Sequence, residues 1–377
     1  MPSKKATRQA AKKTVKSAPS AAAKKAAKPA KPAPKPAPKP KPAPKPAPKP
    51  KPAPKPARKP APKPTPKPAP GPAPTPAAAT YYTLVTEPDQ GLTPIYNFIA
   101  TATKSIDMTM YELTDVTVMD AFASAAAKGI TVRVILDQSE KTTNTPAYTY
   151  LQKNNCNPHW SNPAFSVTHQ KTITIDAATS AIMTLNLTPV DYATTRDFVV
   201  ITNDAADVAA IETTFNADFT NTTITAPTGD NLVWSPTNSL SSLLALINGA
   251  QASLLLSQEE FEESEIENAL LAALQRGVTV TLVQENLDNK YNTTLTALKN
   301  AGAKIAVYTS STGYYIHAKT VLADYGTATA KLFAGSENFT ENSLDNNREL
   351  GLIFSDAACM TGVYTAVTKD FNGGTAF

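Results

Sequence analysis

The sequence predicts an α/β fold made of two copies of one unit. Ser105–Gln138 and Ser253–Asn286 each contain an apolar strand, a polar turn, an amphipathic helix and a β-branched strand. The two segments begin 148 residues apart (253 − 105). Strand–helix–strand order favours a parallel pair with a right-handed crossover. We therefore predict duplicated α/β/α sandwich units with mixed, mostly parallel sheets that meet about a pseudo-two-fold axis.

A glycine marks the end of the central helix in each unit. These helices are predicted to end at Lys128-Gly129 and Arg276-Gly277, because glycine readily adopts the left-handed backbone that closes a helix. The strands that follow are predicted over Ile130–Leu136 and Val278–Val283. An earlier helix is predicted in each copy, near Thr93–Thr103 and Leu240–Ala250.

The first 80 residues differ from the rest in composition. They consist mainly of Lys, Ala and Pro, with a KPAP-type repeat from Lys28 onward and no acidic residue before Glu87. They hold 21 of the 36 Lys and Arg residues, so residues 81–377 keep 15 (36 − 21) against 31 acids, a net charge of −16. We predict a disordered, extended tail over residues 1–80, a first half over 81–225 and a second half over 226–377.

Such a polycationic tail is expected to contact polyanions, namely nucleic acid, anionic lipid or cell-wall polymer. A plain solvated spacer is the alternative. No segment of the sequence has the pattern of a signal peptide or of a membrane span, so neither is predicted. Its compartment stays open between the cytoplasm and export by another route. Cys156 and Cys359 occupy unrelated positions in the halves, which leaves open whether they pair.

One short motif, H-x-K-x4-D, occurs twice, again 148 residues apart (317 − 169). Its members are His169, Lys171 and Asp176 in the first half, and His317, Lys319 and Asp324 in the second. Positions i and i+2 of a strand face the same side, so each His and Lys pair presents an imidazole and an ammonium together. The aspartate, seven positions on, faces away and is predicted to be structural. Two imidazoles and two cations suit the cleavage of a phosphodiester.

The match continues downstream of each motif. The second half contains Gly335-Ser336-Glu337-Asn338 and then Asn347-Arg348-Glu349, and the first half contains Met183-Thr184-Leu185-Asn186 and then Arg196-Asp197. The offset grows to 152 (338 − 186), which places a four-residue insertion near Tyr325–Thr329. An asparagine amide can donate to a phosphoryl oxygen, and an acid can fix the tautomer of an imidazole.

With these residues the chain resembles the phospholipase D superfamily from about Tyr81 to Phe377. The resemblance implies a pseudo-dimeric fold, no metal or other cofactor, and a phosphohistidine intermediate. It implies that His169 is the nucleophile and His317 the acid and base. Phosphate binding is implied for Lys171, Lys319, Asn186, Asn338 and Thr184, and histidine orientation for Asp197 and Glu349. Ser336 either binds the phosphate as well or caps a turn. The first half departs from the family pattern with Met183-Thr184 in place of Gly-Ser and with the shorter Asp197.

Three readings of the function follow. The first is an enzyme that hydrolyses a glycerophospholipid or transfers its phosphatidyl group. The second is a metal-independent nuclease of the same superfamily, which is disfavoured by the acidic body because a nuclease groove needs Lys and Arg. The third is a binding protein that acts through its tail. His159, Tyr111 and Glu259 are interpreted as packing or surface residues.

Overall fold

A computed structural model describes residues 82–377. The predicted tail and its polyanion contacts lie outside these residues. The elements of the first half are β1 (Tyr82–Glu87), α1 (Thr93–Ala100), β2 (Ser105–Met110), α2 (Val116–Ala127), β3 (Thr131–Leu136), α3 (Lys141–Lys153), β4 (Asn157–Trp160), β5 (Thr172–Ile175), β6 (Thr179–Met183), β7 (Thr195–Thr202) and α4 (Ala205–Phe219).

The second half repeats this order and adds short elements. They are β8 (Leu232–Ser235), α5 (Ser239–Gly249), β9 (Ser253–Gln258), α6 (Ser264–Gln275), β10 (Thr279–Glu285), α7 (Asn292–Asn300), β11 (Lys304–Tyr308), β12 (Tyr315–Ile316), β13 (Lys319–Ala323), β14 (Lys331–Gly335), β15 (Glu349–Phe354), α8 (Ala357–Gly373) and β16 (Thr375–Ala376). A 3₁₀ turn at Leu287–Asn289 and a π-helical turn at Asn342–Asn346 complete the half.

Each half forms one sheet with the same strand order. The first sheet runs β1-β7-β6-β5-β2-β3-β4, and the second runs β8-β15-β14-β13-β9-β10-β11-β16. Position by position, the strands of one sheet therefore match those of the other. The predicted α/β class and the duplication are confirmed.

The expectation of mostly parallel sheets was wrong. Parallel pairing is confined to β2-β3-β4, to β9-β10-β11 and to the short β12 beside β7. The other pairs are antiparallel. The strand–helix–strand unit was predicted correctly, but the first two strands after each motif, β5-β6 and β13-β14, are joined by a short turn, and a short turn reverses the chain.

Aspartates of the two motifs occupy these turns. Asp176 and Asp324 follow β5 and β13 with left-handed backbones, at φ 57° and 53°. The first turn spans residues 176–178 and the second spans 324–330. The second is four residues longer (7 − 3), where the sequence placed the insertion. Both strands thus end one residue before the aspartate, instead of continuing past it.

A core shared by both halves lies between the two sheets. It includes Phe198 and Ile211 from the first half, and Leu350, Leu352 and Val363 from the second. The two long helices α4 and α8 contribute to it, while each half keeps a separate core on its outer side. Because one apolar core spans the halves, they fold against each other as one body.

Two buried arginines each pair with an acid of the other half, across the boundary between the two sheets (the seam). Arg196, before the acid of the first half, donates from Nε to Asp370 on α8 at 2.6 Å. Arg348, before the acid of the second half, pairs through Nε with Asp218 on α4 at 2.8 Å. Both acids sit at equivalent positions, 152 residues apart (370 − 218). The long helix of each half therefore fixes, through its aspartate, the strand of the other half that carries Asp197 or Glu349.

Two further expectations concern cysteines and membrane spans. Cys156 and Cys359 are both buried and unpaired with each other. Within residues 82–377, none of the helices is long and apolar enough to cross a bilayer. The predicted boundary between the halves, at residues 225 and 226, falls in the segment that joins α4 to β8.

Candidate active site

The two histidines lie in extended segments that lead into strands. His169 precedes β5, and His317 stands between β12 and β13. The backbone N–H groups of both bind the opposite half: His169 N donates to Arg348 O at 2.9 Å, and His317 N donates to Arg196 O at 3.2 Å. These contacts place each imidazole at the seam between the sheets.

Each imidazole pairs with the acid of the other half. His169 Nδ1 lies 2.9 Å from Glu349 Oε2, and His317 Nδ1 lies 2.8 Å from Asp197 Oδ1. A carboxylate accepts the hydrogen of Nδ1, so a neutral ring holds its lone pair on Nε2. The sequence predicted that these acids orient the histidines, but not that the partners would be exchanged.

Neighbouring side chains hold the two acids in turn. Glu349 Oε1 accepts from Ser343 Oγ at 2.7 Å and from Asn347 Nδ2 at 3.1 Å. Asp197 Oδ1 accepts from Thr184 Oγ1 at 2.5 Å. An imidazole held by a fully bonded carboxylate has a fixed direction and a fixed tautomer.

The two lysines are fully buried beneath the histidines. Lys171 Nζ donates to His169 O at 2.7 Å and lies 5.1 Å from the centre of the Tyr111 ring. Lys319 Nζ donates to His317 O and forms an ion pair with Glu259 Oε2 at 2.7 Å. The two ammonium groups therefore differ in their neighbours: an aromatic face in one half and a carboxylate in the other.

A single pocket of about 520 Å³ contains both imidazoles. Its wall is mostly polar and holds more acidic than basic residues. The residues that line it are Tyr111, Ser166, Val167, His169, Asn186, Glu259, Glu260, Glu262, Lys290, His317, Asn338, Thr340, Asn342, Ser343, Asn347 and Glu349.

Both predicted asparagines reach this pocket. Asn338 Nδ2 donates to Glu259 Oε2 at 3.2 Å, and Asn186 Nδ2 lies 3.5 Å from Glu112 Oε2. The amide oxygens of both are buried without a hydrogen-bond partner. Each amide is therefore close to the imidazoles and has unused bonding capacity.

Thr184 and Ser336, which were expected to bind phosphate, do not line the pocket. Thr184 Oγ1 accepts from Phe198 N at 2.9 Å while it donates to Asp197. Ser336 Oγ accepts from Leu350 N at 3.1 Å. Their hydroxyls are engaged with the strands that carry Asp197 and Glu349, so in this structure they support the acids.

The motif aspartates lie away from the imidazoles. Asp176 accepts from the backbone N–H groups of Thr103, Lys104 and Ser105 at 2.7–3.1 Å. Asp324 accepts from those of Gln251, Ala252 and Ser253 at 2.7–3.1 Å. In each half the carboxylate holds the connection that leads into the central strand.

Two residues interpreted as packing or surface residues belong to the site. Tyr111 packs edge-on against His169 with ring centres 4.8 Å apart, and Glu259 contacts Lys319. They stand at equivalent positions, 148 residues apart (259 − 111), and that alignment was the signal that pointed to them. His159, in contrast, stacks on Phe219 with ring centres 3.9 Å apart, outside the pocket.

Burial and charge set the protonation of the site. Burial, together with Lys171, lowers the pKa of His169 despite the opposing effect of Glu349. Burial and the charge of Lys319 lower the pKa of Lys171 to about 7. Burial alone raises the pKa of a carboxyl, but Lys319 and His317 outweigh it and hold the pKa of Glu259 well below its ordinary value.

In residues 82–377 there is no cluster of three or more His, Cys, Asp or Glu side chains arranged to hold a metal ion. Among the described residues, Lys290 is the lysine that lines the pocket, while Lys171 and Lys319 lie buried behind it against the backbone oxygens of His169 and His317.

Solved structures share this fold. A polyphosphate kinase from Porphyromonas gingivalis superposes with a TM-score of 0.61 at 15% identity, over 77% of this chain and 50% of that one. The chain thus spans half the length of that kinase. A phosphatidylserine synthase from Haemophilus influenzae Rd KW20 superposes with a TM-score of 0.58 at 13% identity, over 78% of this chain and 85% of that one. At these identities the likeness shows the fold alone.

Sequence comparison is more specific than the structural likeness. No curated protein matches the chain significantly. The family model described as cardiolipin synthase, phospholipase D-like domain, matches it twice, over residues 95–219 and 243–373. These matches cover more than half of the chain, and each contains one of the two H-x-K-x4-D motifs. The chain therefore belongs to the phospholipase D-like family of cardiolipin synthase type.

Proposed function

We propose that this protein cleaves the phosphodiester of a glycerophospholipid through a phosphohistidine, and passes the phosphatidyl group to water or to another alcohol. The observation that carries the proposal is the shared pocket, which receives both imidazoles with each Nδ1 held by a carboxylate. Nε2 is then the reactive nitrogen of each ring. A pair of such nitrogens supplies one nucleophile and one acid to a single phosphorus.

His169 is the proposed nucleophile. Nucleophilic attack needs an unprotonated Nε2, and burial lowers the pKa of this imidazole and so favours the neutral ring. Glu349, fully buried, holds the ring by Nδ1 and stabilises the positive charge that develops as phosphorus bonds to Nε2. The assignment agrees with the role that the family resemblance implies for the first motif.

His317 is the proposed acid, which protonates the leaving alcohol and then activates the acceptor. In the free protein its Nε2 lies 3.6 Å from Glu259 Oε2, so until a substrate binds a negative charge stands next to the nitrogen that must carry the proton. Asp197 holds the opposite nitrogen. Lys171, Lys319, Asn186 and Asn338 are the proposed ligands of the phosphoryl oxygens, because both asparagines line the pocket and each ammonium contacts the backbone of one histidine.

Charge around the pocket supports a lipid headgroup over a nucleic acid. Glu260 and Glu262 line the rim, with Lys290 between them at 3.6 and 3.4 Å. The body carries 15 basic and 31 acidic residues. A long polyanion meets repulsion here on either side of the bond to be cut, whereas a single phosphodiester in a pocket of about 520 Å³ does not.

The second candidate is a nuclease of the same superfamily. One observation favours it, namely the 21 basic residues within the first 80, which could draw a nucleic acid to an otherwise acidic body. The chemistry proposed for the two histidines is the same in both cases. Only the substrate distinguishes the two candidates.

One assay series tests the proposal directly. The full chain is incubated in EDTA with phosphatidylcholine or phosphatidylglycerol vesicles, single-stranded DNA, or RNA. Ethanol is added in a parallel set. We expect release of the lipid headgroup, and formation of phosphatidylethanol if the enzyme transfers. The double variant His169→Ala/His317→Ala serves as the blank, and His159→Gln, which changes the histidine outside the pocket, as the positive control.

Three other results of these assays would contradict the proposal in whole or in part. Cleavage of DNA or RNA without lipid turnover would establish the nuclease. Activity that is lost in EDTA and restored by a divalent cation would contradict the metal-free route. No turnover of any phosphodiester by a folded full-length chain would refute the proposed function.

A further inference from the structure

Two proposed phosphate ligands of the second half and the proposed acid converge on one atom of the protein. Glu259 Oε2 lies 2.7 Å from Lys319 Nζ, 3.2 Å from Asn338 Nδ2 and 3.6 Å from His317 Nε2. The second oxygen, Oε1, accepts from Tyr315 OH at 2.6 Å. An oxygen with an ammonium, an amide and an imidazole around it stands where a phosphoryl oxygen would stand.

From this arrangement we propose that Glu259 is an internal competitor of phosphate. Its carboxylate occupies the phosphoryl site of the second half in the free protein, and a substrate displaces it. The proposal rests on the proposed function in one respect, since it requires that the pocket receives a phosphoryl group.

The first half supplies the contrast. The equivalent position is Tyr111, which has no charge at neutral pH and offers a ring face to Lys171 at 5.1 Å. Tyr111 OH donates to Glu140 Oε1 at 3.1 Å, away from the ammonium. The competing carboxylate is thus a property of one half, while the lysine, asparagine and histidine around it recur in both.

Displacement needs room and a destination. Glu259 lines the pocket together with Glu260 and Lys290. Lys290 Nζ is nearly half exposed and pairs weakly, at 3.6 Å, with Glu260. It is a cation at the rim that could receive a displaced carboxylate. A competitor of this kind lowers affinity for any phosphate, including a phosphatidic or phosphomonoester product, and so favours product release.

Inorganic phosphate is the probe, because its binding is measured without turnover. Isothermal titration calorimetry of the full chain at neutral pH compares wild type with Glu259→Gln and with Glu259→Tyr, which copies the first half. We expect both variants to bind phosphate at least fivefold more tightly. Glu262→Gln is the matched control, because it removes a charge from the rim without touching Lys319, and its affinity should stay within twofold of wild type.

The proposal is overturned if the Glu259 variants bind phosphate less than fivefold more tightly than wild type, or not at all. It is also overturned if Glu262→Gln matches their gain, since the effect is then general electrostatics. A loss of kcat by several decades with unchanged phosphate affinity would assign Glu259 to the chemistry instead. Failure of the proposed function is a separate observation, the lack of phosphodiester turnover by wild type.

Discussion

The two halves of this protein agree in what orients the histidines and differ in what faces them. In both, a buried arginine, an exchanged carboxylate and a lysine beneath the ring recur at matching positions. Around the rings, Tyr111 of one half is replaced by Glu259 of the other. The comparison indicates that the orienting network is the same in both halves, and that the halves differ in the side chain that packs beside each imidazole.

A second difference lies just below the pocket. Leu185 of the first half is matched by Glu337 of the second, at the offset of 152 (337 − 185). Glu337 is fully buried, and neither of its side-chain oxygens has a hydrogen-bond partner. Burial and the nearby Glu349 raise its pKa well above the ordinary value. The second half therefore buries a carboxyl group with a raised pKa where the first half buries a hydrocarbon side chain.

The largest expected effect comes from the histidines themselves. His169→Ala and His317→Ala should each lower kcat by about 10⁴-fold or more, because a covalent step or its proton transfer is lost. With a p-nitrophenyl leaving group, His317→Ala should trap phosphate on His169, since no acid is then needed for departure. Peptide mapping by mass spectrometry checks this. A label on His317 in the His169→Ala variant, with none on His169 in the reciprocal variant, would reverse the roles.

The exchanged carboxylates give the next largest effect. Asp197→Asn and Glu349→Gln should each lower kcat by about 10²–10⁴-fold, because the amide disturbs the tautomer of its histidine. A p-nitrophenyl substrate should rescue Asp197→Asn more than Glu349→Gln, since Asp197 serves the acid and Glu349 the nucleophile. Asp230→Asn, at an exposed carboxylate, is the control. Equal rescue of both variants would mean that the halves are not specialised.

The shape of the cation at position 319 gives the next effect, on kcat/KM. Lys319→Arg keeps the charge, but the planar guanidinium does not fit a fully buried ammonium site between His317 O and Glu259. We expect kcat/KM to fall by about 10–100-fold. The exposed Lys128→Arg provides the comparison under the same assay. Unchanged rates for Lys319→Arg would separate this lysine from phosphoryl binding.

The pH profile sharpens the comparison further. The proposed phosphate ligand Lys171 needs its proton for that role, and its pKa is lowered to about 7. Wild-type kcat/KM should therefore fall by up to about tenfold per pH unit above that value. It should also fall in acid, as His169 gains its proton. Lys171→Arg keeps its charge and should lose the part of the alkaline limb that comes from Lys171, leaving the part that comes from the acid His317. A wild-type kcat/KM that rises from pH 7 to pH 9 would contradict this assignment.

The smallest effect concerns stability. A carboxyl with a raised pKa in the fold must take up a proton on folding at neutral pH, so it destabilises there and ceases to do so as the pH falls through its unfolded value. Glu337→Gln should therefore raise Tm near pH 7.5 by a few degrees, at about 2 °C per kcal/mol for a domain of this size. The gain should vanish near pH 4. Calorimetry at both pH values measures it, with the exposed Glu341→Gln as control.

Much of this architecture could be predicted because it depends on local patterns. The glycines after α2 and α6, with φ of +83° and +86°, marked the helix ends. Spacing of 148 and 152 residues fixed which strands correspond. The sheet directions were mispredicted because a strand–helix–strand pattern dominated the interpretation, while β5, β6 and β7 pair antiparallel with their neighbours.

The sequence could not show which acid pairs with which histidine across the seam between the halves. His169 and Glu349 are 180 residues apart, and His317 and Asp197 are 120 apart. A repeat shows that an acid follows each histidine, but both the direct and the exchanged pairing satisfy that pattern. Glu259 was missed for a similar reason, since a glutamate at a strand end is usually solvated. Only the fold brings Lys319 beneath it.

The exchanged pairing also has a consequence in time. Synthesis proceeds from the N-terminus at about 5–20 residues per second, so the 180 residues between His169 and Glu349 take roughly 10–40 s to translate. During that interval the imidazole exists without the carboxylate that orients it. A nascent chain that ends before Glu349 therefore lacks the contact that orients His169, and the pairing across the halves is complete only after the second half has been made.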